Sequence, residues 1–383
     1  MRESTLLRYK KRLIQNLINI PGWQTNRKIV VIESDDWGSI RMPSLKVLKI
    51  LLESGMRIDN LAYNKYDSLA SEEDLSCLID ILMSIKDFCG NYPVFTLNTI
   101  VGNPDFEKIR KSKFKKYFFE PFTETLKRYP EHINSFSLWK QGIAKGVFKP
   151  QFHGREHLNV HRWLRALQAD NKDIYKAFNL GMFDLSIETK ITENSFVDAL
   201  NFETQDEVAF LKQALAEGLD LFHSLFGYRS LSFVAPKYIW PCEIERTLVE
   251  KGVRIIQSIH NQLEPLSGSK HQFRKIFHYT GQRNKEGLYF IVRNASFEPS
   301  EKPDYDWIDD ILSKAKSAFL WKKPLVISSH RLNYIGFINR ENRDKNLNML
   351  KIMLKTLIKT FPDIEFLSTD HLGEQIIKEE KLV

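Results

Sequence analysis

Apolar residues recur along the chain with two periods. Positions 6, 7, 13, 14, 17 and 18 share one face at a spacing of 3.6, which predicts an amphipathic helix over residues 4–19. Pro21-Gly22 ends that pattern. The β-branched run Lys28 to Ser34 then predicts a buried strand that stops at Asp35-Asp36-Trp37-Gly38. Similar short runs predict strands at Pro93 to Asn98, Lys149 to Phe152, Leu231 to Ala235, Arg254 to Gln257, Leu288 to Arg293, Leu325 to Ser329 and Ile364 to Leu367. Helical patterns lie between most of them, for example Glu203 to Leu225, Ile244 to Lys251, Trp307 to Phe319 and Arg343 to Thr360. This alternation predicts an α/β chain folded as a single (β/α)7-8 barrel, distorted or incomplete. The barrel is expected over 28–375, with helical insertions at 53–91 and 103–147, a helix within 1–27 before it and a tail at 376–383.

Composition narrows the partners. Of 383 residues, 43% are hydrophobic and 27% charged, which excludes wholesale disorder. The net charge of +8 is mild for this length and permits an anionic partner. With no helix-turn-helix or zinc-finger spacing, no nucleic-acid partner is expected. Three scattered cysteines fit a reducing compartment. No apolar run reaches the ~18 residues of a membrane span, and basic residues break up the N-terminus where a signal peptide would need an apolar stretch. A cytoplasmic protein is therefore expected.

Two basic segments have alternative readings. The N-terminal helix packs on the main body or lies on an anionic membrane surface. The first is favoured because Lys10 interrupts the apolar face. The run from Lys108 to Lys116, interleaved with aromatics, is a solvated face before it is a contact for an anionic substrate or lipid.

Candidate chemistry collects at the C-terminal ends of the predicted strands, which open on one face of a parallel barrel. Asp35-Asp36 follows the first strand, His153 and His157 the third, Pro236-Lys237-Tyr238 a middle one, and His330-Arg331 a late one. Singly these are weak: paired aspartates often hold a turn, and a lone histidine often sits in a core. Together they supply two imidazoles and a carboxylate for a metal, a second carboxylate as base and an imidazole as acid. Trp37 and Tyr238 would stack on a ligand ring or pack at the rim. Arg331 would bind a phosphate or carboxylate, or sit in an ion pair.

These motifs resemble the polysaccharide deacetylase family, the metal-dependent carbohydrate esterases of the chitin and peptidoglycan deacetylase type. Glu33-Ser34-Asp35-Asp36-Trp37-Gly38 is similar to its paired-aspartate motif. His153-Gly154-Arg155-Glu156-His157 is similar to its histidine motif, and Val326-Ile327-Ser328-Ser329-His330 to its last motif. The resemblance implies that Asp36, His153 and His157 hold a divalent metal, zinc first. It also implies that Asp35 is the general base, that His330 is the general acid and that an N-acetylated saccharide is the substrate. The family's third motif keeps its proline here, but Ala235 stands where it has an arginine. Arg229, Lys237 and Arg293 are candidates to replace that arginine. Asp306-Trp307 is loosely similar to the fourth motif. Three further readings are weighed: a barrel that cleaves a glycosidic link with a carboxylate pair, against which both histidines argue, a carbohydrate-binding barrel without activity, and a metalloprotease of the His-x-x-Glu-His type with Glu156 as base.

Overall fold

The computed structural model describes residues 13–185, 195–267 and 271–380. The first part of the expected 4–19 helix and the end of the expected tail lie outside the described residues. Strands β1 (Lys28–Trp37), β2 (Phe95–Ile100), β3 (Gly102–Pro104), β4 (Phe119–Pro121) and β5 (Phe148–Gly154) come first. Next are β6 (Ser232–Val234), β7 (Ile255–Ser258), β8 (Asn261–Pro265) and β9 (Phe273–Phe277). The last are β10 (Tyr289–Val292), β11 (Ala295–Ser296), β12 (Leu325–His330) and β13 (Ile364–Leu367).

One parallel sheet runs in the order β10-β7-β6-β5-β2-β1-β12-β11, with β13 paired to the first half of β1. It curls through 261° into an open, distorted (β/α) barrel. The edge strands β10 and β11 are separated in the chain by Arg293 and Asn294 alone. The two edges are therefore neighbours, and a seam remains between them. β3 with β4 and β8 with β9 are separate antiparallel pairs above the sheet's ends. Sequence reading missed both pairs because they are short and carry little alternation.

Helices cover both faces of the sheet, so β1 is buried at every position but Lys28. That explains its unbroken apolar run, since a strand buried on two faces has no reason to alternate. The strand outruns the expected stop at Ser34. It carries Asp35, Asp36 and Trp37 by a bulge, with Asp36 at φ 71 and the register against β2 shifting between Ser34 and Trp37.

One boundary and one helix face differ from expectation. Helix Thr369–Glu380 continues past 375, and its Ile376 is buried, so residues 376–380 belong to the body and not to a tail. Residues 13–17 are helical, yet Leu13, Ile14 and Leu17 stand 61%, 49% and 53% exposed. The polar side of that helix is what docks, through Asn16 Oδ1, which accepts from Trp321 Nε1 at 2.8 Å. The helix thus lies on the body with its apolar face turned outward. Lys108 to Lys116 is an exposed basic face, and Phe114 packs inward on Phe178.

Gly142, inside helix Ser135–Ala144, faces β5 closely: a Cβ there would stand 2.2 Å from Cδ2 of the buried Phe148 ring. Gly142→Ala is expected to destabilise by about 1–3 kcal/mol through overpacking, outweighing the ~1 kcal/mol gain in helix propensity. A denaturant midpoint that rises instead would show that the ring yields freely.

Candidate active site

The bulge at Asp36 turns its carboxylate toward two imidazoles. His153 Nε2 and His157 Nε2 each lie 3.3 Å from Asp36 Oδ1. His153 sits within β5, and Gly154 at φ +130 lets the chain bend so that His157 returns to the same point. The segment after Gly154 is a bend, not a helix. His153 Nδ1 is 2.9 Å from the carbonyl of Val234, which can only accept, so Nδ1 carries the proton and Nε2 offers its lone pair. Burial pulls His157 down to about 3, against the pull of Asp36, so its imidazole is neutral. Asp36 is held ionised, well below the usual range: burial would raise it, but His157 and His153 outweigh that.

Two imidazole nitrogens and a carboxylate oxygen thus converge on one point. Asp36 Oδ1 is buried with no hydrogen-bond partner. A buried charged acceptor left unsatisfied is costly, and a divalent cation relieves all three groups at once. The donor set fits a metal: three ligand atoms from Asp36, His153 and His157 lie within 4.8 Å of one another.

Beside this triad lie a second carboxylate and a third imidazole. Asp35 and His330 are direct partners in the β1–β12 ladder. Asp35 Oδ1 accepts from Asn98 Nδ2 and Arg293 Nη2, both at 2.7 Å, and Oδ2 accepts from Arg293 Nη1 at 2.7 Å. A carboxylate has about four lone-pair sites. Three are filled, and the one left is on Oδ2, the oxygen 3.9 Å from His330 Nε2. Burial would raise Asp35, but the Arg293 fork holds it well below the carboxylate range. His330 Nδ1 meets Glu298 Oε1 at 2.7 Å. Burial works against its charge, yet Glu298 overcomes this and lifts His330 to about 10.

A cavity of about 430 Å³ joins these groups, lined also by Arg41, Tyr63, Lys237, Tyr238 and Glu301. Of the expected site residues, Asp35, Asp36, His153, His157, Tyr238 and His330 all line it. Two do not. Trp37 is 1% exposed and packs on Trp139 and Phe148, because the bulge sends it to the core side of β1. Arg331 is 0% exposed and donates to Asp67 Oδ1 and the Ser39 carbonyl, so it is a structural ion pair. Asp306-Trp307 is structural as well: Asp306 caps helix Trp307–Leu320, and Trp307 packs on Phe297.

Of the three candidates for the arginine absent at Ala235, only Arg293 reaches Asp35. It comes from the seam between β10 and β11, far from Ala235 in sequence. Sequence reading also missed Asn98 and Glu298, which hold Asp35 and His330. Asn98 ends the predicted second strand, a position that could have drawn attention. Glu298 follows β11, a two-residue strand too short to leave a pattern. Glu156 is forked onto Arg155 and buried. With the bend after Gly154, this removes the long helix and the free carboxylate that the metalloprotease reading needs.

No family model and no curated protein matches the chain. Similar solved structures include a 4-alpha-glucanotransferase from Thermococcus litoralis, at 9% identity and TM-score 0.45 over 90% of this chain and 40% of that one. The alpha-amylase AmyC from Thermotoga maritima is similar at 10% identity and TM-score 0.42, over 91% of this chain and 74% of that one. The peptidoglycan deacetylase PdaC from Bacillus subtilis is similar at 9% identity and TM-score 0.35, over 93% of this chain and 94% of that one. The chain thus spans less than half of the glucanotransferase. At such identities the chemistry rests on this chain's own residues.

Asp36→Ala and His157→Ala are each expected to abolish binding of one equivalent of zinc, measured by elemental analysis after dialysis. Asp35→Asn should keep it. Retention in both ligand variants would overturn the ligand set. Arg293→Lys keeps the charge but loses the fork, so it should bind zinc normally while the catalytic rate falls at least tenfold.

Proposed function

We propose that this chain is a metal-dependent hydrolase that removes the acetyl group from an N-acetylated sugar of a polysaccharide or its precursor. The observation that carries the reading is the pairing of Asp35 with His330 across β1 and β12, beside the Asp36–His153–His157 triad and in one cavity. Those three ligands would hold the ion, zinc being the first choice for one carboxylate and two imidazoles. Once bound, it would acidify a water molecule and polarise the acetamide carbonyl.

The chain's own residues account for the proton movements. Asp35 Oδ2 takes a proton from water as the water oxygen adds to the acetamide carbon. A carboxylate held as low as Asp35 is a weak base, so it suits a water that is already acidic. His330 Nε2, charged because Glu298 holds Nδ1, gives its proton to the nitrogen as the C–N bond breaks. Acetate and an amino sugar leave. Tyr63 and Tyr238 offer aromatic surface in the wall for a sugar ring.

The same reading gives a role to the outward apolar face of the N-terminal helix. Leu13, Leu17 and Ile20 are exposed there, with Leu320, 73% exposed, near Gln15 and Asn16. Arg8, Lys10, Lys11 and Arg12 precede them in sequence. This combination suits peripheral contact with an anionic membrane surface. Among the described residues, no helix is long and apolar enough to cross a membrane.

Zinc-loaded protein should release acetate from N-acetylated saccharides, and Asp35→Asn should lower the rate about 10²–10⁴-fold. Sugar binding without acetate release would point to the binding-only reading. Glu298→Gln removes the anion that raises His330, so His330 should lose its proton at lower pH. The alkaline limb of the rate profile should then move to lower pH, and an unmoved limb would remove His330 as the acid. Vesicles containing phosphatidylglycerol should sediment the protein, and neutral phosphatidylcholine vesicles should not. Leu13→Ser with Leu17→Ser should lose the effect.

A further inference from the structure

Two cationic side chains in the cavity lining, Arg41 and Lys237, lie outside the triad and the acid–base pair. Arg41 lies in the wall with its side chain 10% exposed. Its contacts to Asp184 and Asp67 are 3.6 and 3.8 Å, long for ion pairs. Asp67 already takes Arg331 at 2.9 Å, so it gives Arg41 only part of its charge. The Arg41 guanidinium lies 5.7 Å from the centre of the Tyr63 ring, which in turn meets His330 edge-on at 5.3 Å. That contact places Arg41 one ring away from the acid. Lys237 stands exposed at the mouth of the same cavity.

The backbone at Lys237 supports a purpose for it. Lys237 and Tyr238 are consecutive residues at φ 59 and φ 56, both left-handed and neither glycine. Each such residue costs about 1–2 kcal/mol, and strain of this kind persists where surrounding structure enforces it at a working site. The turn presents both side chains to the cavity: Tyr238 beside Arg293, and Lys237 at the entrance.

The acidic lining groups have partners of their own. Asp35 has Arg293, Asp36 faces His153 and His157, and Glu301 accepts from the Tyr63 hydroxyl. The space is also small. About 430 Å³ lies near the lower end of the ~300–1,000 Å³ of small-molecule sites. Leu61 and Tyr63 from the 53–91 insertion, with Val197, wall it in.

We propose that the cavity takes its N-acetyl sugar as a small anionic molecule, with a phosphate or carboxylate on the sugar held by Arg41 and Lys237 while the acetamide reaches the triad. This inference rests on the deacetylase reading for its reaction and on the cavity alone for its anion site. Two measurements keep them apart. In the first, zinc-loaded protein is assayed for acetate release from N-acetylglucosamine, N-acetylglucosamine 6-phosphate and N-acetylmuramic acid. At least one anionic sugar should exceed the neutral one about tenfold or more in kcat/KM, and the favoured one tells phosphate from carboxylate. In Lys237→Gln and Arg41→Gln that ratio should fall toward one. Lys237 is exposed, so its variant should fold even if the Arg41 variant does not. In the second, calorimetry compares glucosamine 6-phosphate and muramic acid with glucosamine, on metal-free and zinc-loaded protein. At least one anionic amino sugar should bind about tenfold tighter than glucosamine, and Lys237→Gln should remove the difference. A wild-type protein that treats neutral and anionic ligands alike in both measurements overturns the proposal. Acetate release from none of the sugars, with the calorimetric preference intact, overturns the deacetylase reading and leaves the anion site standing.

Discussion

Arg293 lies in the seam between β10 and β11, and its N–H groups go to Glu33, Asp35, Tyr238, Ser328 and Gln257. Two carboxylates and one guanidinium inside a barrel cost several kcal/mol per ion in lost hydration. They are tolerable only if the remaining donors and acceptors are placed around them. Asn98 and Thr369 complete that shell, Asn98 on Asp35 and Thr369 on Glu33. The division of the guanidinium is unequal. Its Nη fork goes to Asp35, whereas Glu33 receives Nε, and burial leaves Glu33 raised while Asp35 is depressed. One cation thereby holds Asp35 down while its neighbour Glu33 stays raised, and the bonds that fix Asp35 also join the two edges of the sheet.

Much of this was legible in the sequence because parallel barrels gather their chemistry at one set of strand ends. Asp35, Asp36, His153, His157 and His330 each follow or end a predicted strand, so their meeting needed only the fold class. What could not be read was direction and distance. Trp37 belongs to the same strand end, but a one-residue bulge sends it into the core, and no pattern marks a bulge beforehand. Arg331 follows His330 in sequence yet turns to a buried aspartate from the 53–91 insertion. Arg293, the last residue of the predicted run from Leu288, is the candidate for the arginine absent at Ala235 that reaches Asp35. Such replacements depend on proximity in space, which a single sequence does not contain.

The site divides by origin. Strand ends provide the Asp36–His153–His157 triad, Asp35 and His330, on a sheet buried on both faces. The walls that shape the cavity come from the insertion carrying Leu61 and Tyr63, from Val197, and from the strained turn at Lys237 and Tyr238. Under the proposed reading, chemistry stands on the sheet and selectivity on its additions, the usual partition in barrels.

The pairing of Asp35 with His330 is a backbone fact before it is a chemical one. Six successive residues of β1 are matched to six of β12, from Val30 with Leu325 onward. A slip of one position would turn each β1 side chain to the opposite face and seat Asp36, not Asp35, across from His330. The ladder therefore works as a ruler whose scale is the peptide repeat. Under the proposed reading, turnover is accordingly a readout of strand alignment: a chain that collapsed with correct helices but a shifted β1 would be compact and inert.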